Sequence, residues 1–597
     1  MVRVLQLIIA LLMISTNSLV MAVHVNHDRT GQVALLPYYT VNNNFITNFT
    51  ITNTTNLFKA VRVRILESKN SGDLLNFNVY LSPYDVWNGT LRRNASTGLP
   101  NLISEDESCT YPVKTNLHAG IDLLNIYTAT SDDDLTEGYI EIIEMGVVAD
   151  GAGPAVDGGY EAEMDAGGNA DGVVNDAAGD RSVVTGLLHS NTGIPADCSV
   201  VSDAWDAGDV SGSAINGFEP GSMGSNGVAM DSADSAAPYG DSHNAGLVAP
   251  SGGINVYGIL INVATGAGLV QEGTHIDRYT TVAQHYLPDD PVHYRLPSLA
   301  SGDIQEAYIT NALGDGMKGN TMPLTEYDTG ALHDISPQVS VPMGSNPLPI
   351  SVVLSADQVS APYFEEVNIN GETDIVLTFP MRKHGIWNGG TLTNDMDGSG
   401  SLEACVGTLN DGIDDGEAVT LEALSAQVND YPGDGAGALC TNVGYVEKID
   451  QDIQIGFFYY DYEHHVAEYV GEIPSDIGPI PVGPWYEVFL ERAVNVIVLY
   501  RGGSNRSVLG TPAANFFKVE LDVAFWEGWV TVDTDSAYDY EVNQSIMTLT
   551  ETNGGIGAEA GAWTGAPMIG FSAMAADVGP AQIGETVELI RKVNRSE

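Results

Sequence analysis

KAVRVRILE at 59–67, followed by DLLNFNVYL at 73–81, decides the fold class. In the first stretch Val61, Val63 and Ile65 alternate with Arg62 and Arg64. In the second, Leu75, Phe77, Val79 and Leu81 alternate with Asn76, Asn78 and Tyr80. A period of two belongs to a β-strand, whose successive side chains point to opposite faces. The alternating arginines and asparagines predict one face in the core and one in water.

The pattern continues on both sides. Phe45, Phe49 and Ile51 share a face in the preceding segment. Asn53-Thr54-Thr55-Asn56 forms a turn cluster, because Asn tolerates positive φ and both residue types hydrogen-bond local backbone. Ser82-Pro83-Tyr84-Asp85 breaks the next strand, and residues 139–145 and 256–263 supply two more. Further strands are expected at 374–380, 453–462, 494–500, 517–532 and 567–571, with a short helix at 305–313. In 517–525, Phe517, Val519, Leu521, Val523 and Phe525 alternate with Lys518, Glu520 and Asp522. Short strands with turns between them predict an all-β chain built from two β-sandwich regions, immunoglobulin-like or jelly-roll. Residues 23–148 with 250–345 form the first and 346–597 the second. Gly, Ala, Asp and Ser dominate 149–249 and 388–438, two acidic insertions expected as long surface loops.

Lys plus Arg number 23 against 78 Asp plus Glu, a formal charge of −55. Such a surface repels phosphate backbones and excludes nucleic acid as a partner. It suits divalent cations or a saline medium. At the start, Arg3, the apolar run 5–12 and Val20-Met21-Ala22 read as a signal peptide over 1–22, too short to stay as a membrane anchor. No cysteine follows Ala22 and no apolar tail closes the sequence, so neither a lipid nor a transmembrane anchor is expected. The chain is therefore read as secreted, to the outer cell surface or beyond. In an exported chain, Cys109, Cys198, Cys405 and Cys440 allow three disulfide pairings. Sequential pairing, Cys109–Cys198 and Cys405–Cys440, is the simplest.

Calcium is the best-supported chemistry. Asp411-Gly412-Ile413-Asp414-Asp415-Gly416 with Glu422 follows the spacing of an EF-hand-like loop, although Ile413 breaks one ligand position. Asp395 and Asp397 with Glu403, and Asp171 and Asp176 with Asp180, are looser variants. The competing reading is acid and glycine meeting by chance in solvated loops. His464 and His465 sit beside Asp461 and Glu463, but neighbours on a strand face opposite ways and cannot easily share an ion. The sequence holds no zinc-protease HExxH, no GxSxG elbow and no phosphate-binding GxxxxGK[ST] loop, and no catalytic activity is expected. Tyr84 with Trp87, or Trp526 with Trp529, could stack on sugars, though aromatic residues on strands more often serve the core.

VALLPYYTV at 33–41, TNTTN at 52–56, the stretch 59–87 ending LSPYDVW, GYIEIIEMG at 138–146 and DIVLTFP at 374–380 resemble the uncharacterised secreted "cell surface protein" family of proteobacteria. The resemblance implies export, a surface location and a β-rich fold, and brings no activity or catalytic residue. Together these readings predict a surface structural or adhesive protein, bound to copies of itself or to extracellular polysaccharide. The alternative is a secreted polysaccharide-binding or polysaccharide-active protein. Val23-His24-Val25 with 33–39 reads either as a free extended segment able to join a neighbour's sheet edge, or as a strand pairing at home.

Overall fold

The computed structural model describes 23–148, 183–201, 247–310, 348–382 and 453–592 apart from short internal breaks, together with 321–323. Longer stretches outside the described residues are 1–22, 149–182, 202–246, 324–347, 383–452, 469–487 and 535–565. The chain is an all-β assembly of four principal sheets, paired around two apolar cores.

Sheet A runs in the order His24–Val25, Thr274–Asp277, Val33–Thr40, Glu137–Val148, Lys59–Glu67, Asp73–Leu81, Cys109–Tyr111. Sheet B runs Gly268–Glu272, Ile254–Asn262, Phe45–Asn53, Val86–Arg93, Pro100–Ile103, Ile121–Asp122. Their inner faces meet in a core of Val61, Val63, Ile65, Phe77, Ile140 and Ile142 from A against Phe49, Ile51, Trp87, Leu91 and Val256 from B.

Sheet C runs Val466–Glu468, Ile453–Asp461, Glu527–Asp533, Gln358–Phe364, Ile590–Lys592. Sheet D runs Phe516–Glu520, Val494–Tyr500, Glu372–Thr378, Ile569–Val578, Ala581–Glu588. Ile375, Leu377, Ile497 and Leu499 of D close the second core against Val359, Tyr363, Phe457, Tyr459 and Val530 of C. The opposite face of D carries Val376, Val494, Val496, Val498, Phe571 and Ala573, which pack on Tyr38, Phe45, Leu66, Tyr139 and Leu260 of the first sandwich. The central strands of sheet D are therefore buried on both faces, and Val494–Tyr500, VNVIVLY, is correspondingly apolar at all but one position.

Five expectations are revised. Arg62 and Arg64 face no water: both are buried. Tyr279, Gln284, Tyr286 and Leu299 lie over that face of sheet A, and the Tyr286 carbonyl accepts from Arg62 Nη2 at 2.6 Å. Arg64 holds Asp73 through Nη2 at 2.9 and 3.0 Å and Glu141 through Nη1 at 2.7 Å. The charges are matched from neighbouring strands, so the alternation survives while its wet face does not. Second, Val33–Thr40 is no free segment; it lies inside sheet A between Thr274–Asp277 and Glu137–Val148, and His24–Val25 pairs with Thr274–Asp277. Of the two readings of this segment, the structure shows the strand pairing at home.

Third, part of the first acidic insertion is packed. The helix Val183–Leu187 places Val184 and Leu187 with Phe58, Tyr80 and Met145 on the outer face of sheet A. The disulfide Cys109–Cys198, with Cα atoms 5.2 Å apart, ties this patch to the edge strand. Fourth, 308–310 is a strand rather than part of a helix, paired with 321–323. The stretch 517–532 also divides. Phe516–Glu520 runs parallel to Val494–Tyr500 in sheet D, and the chain then crosses to Glu527–Asp533 in sheet C, with Val519, Leu521 and Phe525 all in the core.

Removing one member of a buried ion network strands the others without compensation. Arg64→Ala should lower the unfolding free energy by about 3–5 kcal/mol. Replacing all three members together (Arg64→Met, Asp73→Val, Glu141→Leu) should cost much less. Urea titration of the variants compares them, and equal losses would show that packing volume, not charge, governs the site.

Candidate binding surface

Two of the four sheets keep an open face. Sheet A is covered by Tyr279 and Leu299 on one part and by Val184, Leu187 and Val201 on another, and the central strands of sheet D by the first sandwich. The outer faces of B and C remain exposed, and their strands show it: Ile254–Asn262 and Gln358–Phe364 alternate between buried and accessible positions.

The outer face of sheet C carries an aromatic row set by strand register. Tyr460 pairs with Trp529, and Trp529 pairs with Pro362 on its other side. The Tyr460 and Trp529 rings are stacked, with centroids 5.0 Å apart and planes 10° from parallel. That separation is close to the strand spacing of about 4.8 Å, so the register itself imposes the stack. Both residues are half-buried, and Trp526, the residue immediately before the strand, is 42% exposed. Beside the row, Ser360 Oγ and Thr531 Oγ1 lie 3.2 Å apart, and Ile590, in register with Ser360, is exposed.

Behind this corner sits Glu365. Its backbone N–H donates to the Trp526 carbonyl at 2.7 Å, fixing the loop that presents the indole. The side chain is buried, and Oε1 has no hydrogen-bond partner among the described residues. Burial, with Asp374 and Glu372 nearby, pushes its carboxyl up to about 9.

The sequence-derived candidates divide. Trp529 lies on this surface, and Trp526 is exposed at the end of the same strand. Trp87 belongs to the first core, between Phe49 and Phe77 at centroid distances of 5.3 and 5.4 Å, so it offers no platform. Tyr84 is exposed but alone in its turn. The calcium candidates Asp411, Asp415, Glu422, Asp395, Asp397, Asp171 and Asp176, the Cys405–Cys440 pair, and His464 with His465 all lie outside the described residues. Among the described residues no group of three or more His, Cys, Asp or Glu is placed to hold an ion, and no helix is long and apolar enough to cross a membrane. Tyr460 and Pro362 were not singled out from the sequence. Their alternating strands would have placed each on an outer face, but only register brings them beside Trp529.

Two other clusters have the residue types of catalysis. Ser82 Oγ lies 2.6 Å from His189 Nδ1, and Asp85 Oδ2 lies 3.6 Å from the same nitrogen. A nucleophilic relay needs serine and carboxylate on opposite ring nitrogens, so that the acid orients the ring toward the hydroxyl. Here both compete for Nδ1, and Asp85 also accepts from the Ser82 and Val86 N–H groups at 3.1 and 2.8 Å. The cluster braces a turn. Between the edge strands of B and D, a cleft of about 490 Å³ is lined by Glu272, Glu585 and Glu588 with Arg29 and Val270. Burial, followed by Glu272, raises the Glu588 carboxyl, while Arg29 pairs with Glu272. The cleft's aromatic lining residue, Phe571, is itself buried.

No family model matches the chain, and no curated protein and no solved structure matches it.

Glu365 gives a pH prediction with a fixed sign. Its folded value lies above the ordinary 4.5, so the stability its proton supplies is complete below about 4.5 and lost as pH rises through about 9. Glu365→Gln should therefore be near-neutral at pH ~4 and stabilising at pH ~9, diverging by up to about 1.4 kcal/mol per pH unit between. Denaturant unfolding across that range tests it; a constant difference at every pH would contradict the assignment.

Proposed function

We propose that this protein is a secreted cell-surface adhesive or structural protein that works by association rather than turnover, holding an extended neutral polysaccharide against the outer face of sheet C. The observation that carries the reading is the row Tyr460–Trp529–Pro362 in cross-strand register. It sets apolar ring surface beside a phenol hydroxyl and an indole N–H, the amphipathic combination that suits a ligand with both C–H faces and hydroxyls. A formal charge of −55 disfavours polyanionic polymers, which narrows the class to neutral chains. The signal-peptide pattern at 1–22 and the sequence resemblance support export to a surface. The turn-bracing geometry of Ser82, His189 and Asp85 favours binding over hydrolysis by that group.

Affinity electrophoresis through gels containing neutral soluble polysaccharides tests the reading. Wild type should be retarded by at least one such polymer, and Trp529→Ala should lose about tenfold in affinity, the scale of a lost aromatic contact of ~1.4 kcal/mol. Retardation by none of them, or undiminished binding by the Trp529 variant, would contradict it. A wild type that instead forms concentration-dependent oligomers would move the role to self-assembly.

A further inference from the structure

Asp374 lies in the Glu372–Thr378 strand, in register with Val498 on one side and Ala573 on the other, on the face of sheet D turned toward the first sandwich. The residue is fully buried. Its Oδ2 accepts from Ser507 Oγ at 2.7 Å and from the Leu509 N–H at 2.9 Å. One carboxyl oxygen thus organises the turn 507–511, and that turn is wedged into the joint between the sandwiches. Val508 and Leu509 pack with Tyr38 and Phe45. Gly510 has φ +68° and so close an approach to Asn43 that a Cβ there would stand 2.1 Å from the Asn43 Cβ, which makes glycine obligatory. Thr511 Oγ1 lies 3.4 Å from Tyr38 Oη, which donates to Glu137 at 2.8 Å.

The groups around this carboxyl are mostly acidic. Glu372 precedes it by two positions on the same strand face, Glu365 lies at the end of the neighbouring hairpin, and Glu137 stands behind Tyr38. The nearest cation by register is Lys518, two strands across the sheet. The joint's arginines are engaged elsewhere: Arg492 pairs with Asp134, and Arg382 donates to the Lys69 carbonyl at 3.0 Å. Asp374 Oδ1 is buried without a hydrogen-bond partner among the described residues.

We propose that Asp374 is a pH-sensitive latch of the joint: protonated, it holds the 507–511 turn closed, and ionised, it favours opening because only opening brings water to the charge. Burial pushes the carboxyl up to about 7 from its ordinary 3.8, against the hydrogen bonds that lower it. The closed joint is accordingly favoured in full below about 3.8, and that advantage is lost as pH rises through about 7. At neutral pH most of that advantage is already lost, so mild acid tightens the joint and alkali changes it little further.

Two backbone bonds across the joint report its opening: Ala493 N–H to Lys69 carbonyl at 2.9 Å and Val494 N–H to Ser68 carbonyl at 2.8 Å. Hydrogen exchange at these amides and at Leu509, corrected for the intrinsic pH dependence of exchange, should lose protection on the order of tenfold between pH ~5.5 and ~8.5. Amides of Val63 and Ile142 inside the first sandwich should not follow. Asp374→Asn, which mimics the protonated state, should abolish the response. Equal protection at both pH values in wild type, or an undiminished response in Asp374→Asn, would overturn the latch. Ser507→Ala provides a second arm should the Asn variant fold poorly. Removing a donor to the carboxylate should move the midpoint upward, and an unmoved midpoint would count equally against the proposal.

Discussion

Burial of the central strands of sheet D on both faces is the constraint on which the rest depends. Ile375, Leu377, Ile497 and Leu499 complete one core, while Val376, Val496, Val498 and Phe571 seal the joint with the other sandwich. Each buried aliphatic side chain on either face contributes roughly 1.5–3 kcal/mol, so exposing one face of the sheet would forfeit many such terms at once. The joint is reinforced by directional bonds: Thr378 Oγ1 to the Pro37 carbonyl at 2.6 Å, Arg492 with Asp134, and the Ala493 and Val494 amides on the 68–69 turn. The two sandwiches are held as one body, which leaves the aromatic row of sheet C facing outward on a stiff support.

The fold was legible where strand chemistry is local. VALLPYYT and VNVIVLY are nearly unbroken apolar runs, and both prove to be buried on both faces. FITNFTITN and INVYGILIN alternate, and both belong to a sheet with one open face. KAVRVRILE misleads because alternation tells which residues share a face and not what covers that face. The cover comes from Tyr286 and its neighbours, far along the chain, and the charges are answered by Glu141 and Asp73 on adjacent strands. A signal was available: the acids within EGYIEIIEMGVV sit in an otherwise apolar strand, and such acids need buried partners. Glu144 finds Lys59 at 2.6 Å.

The candidate surface was legible only in part. Trp526 and Trp529 stand out in any reading, but Tyr460 and Pro362 join them through pairings among strands distant in sequence. No composition or spacing encodes that register. The buried carboxyls were equally hidden, because in a chain with 78 acids no single Asp or Glu is conspicuous. Their desolvation, a three-dimensional property, distinguishes Asp374 and Glu365 from the solvated majority. The excess negative charge and these few buried acids act in opposite ways: the first keeps polyanions off the surface, and the second ties the internal architecture to pH.

The claim that sheet D fuses both sandwiches into one body is open to a direct test by equilibrium unfolding at pH ~5.5, where the joint is closed. With fluorotryptophan incorporated, Trp87 reports the first core and Trp529 reports sheet C in one fluorine NMR titration against urea. A shared wall predicts that both native resonances disappear at the same urea midpoint and with the same slope. Loss of the Trp529 resonance at a urea concentration where Trp87 keeps its native signal would contradict the account.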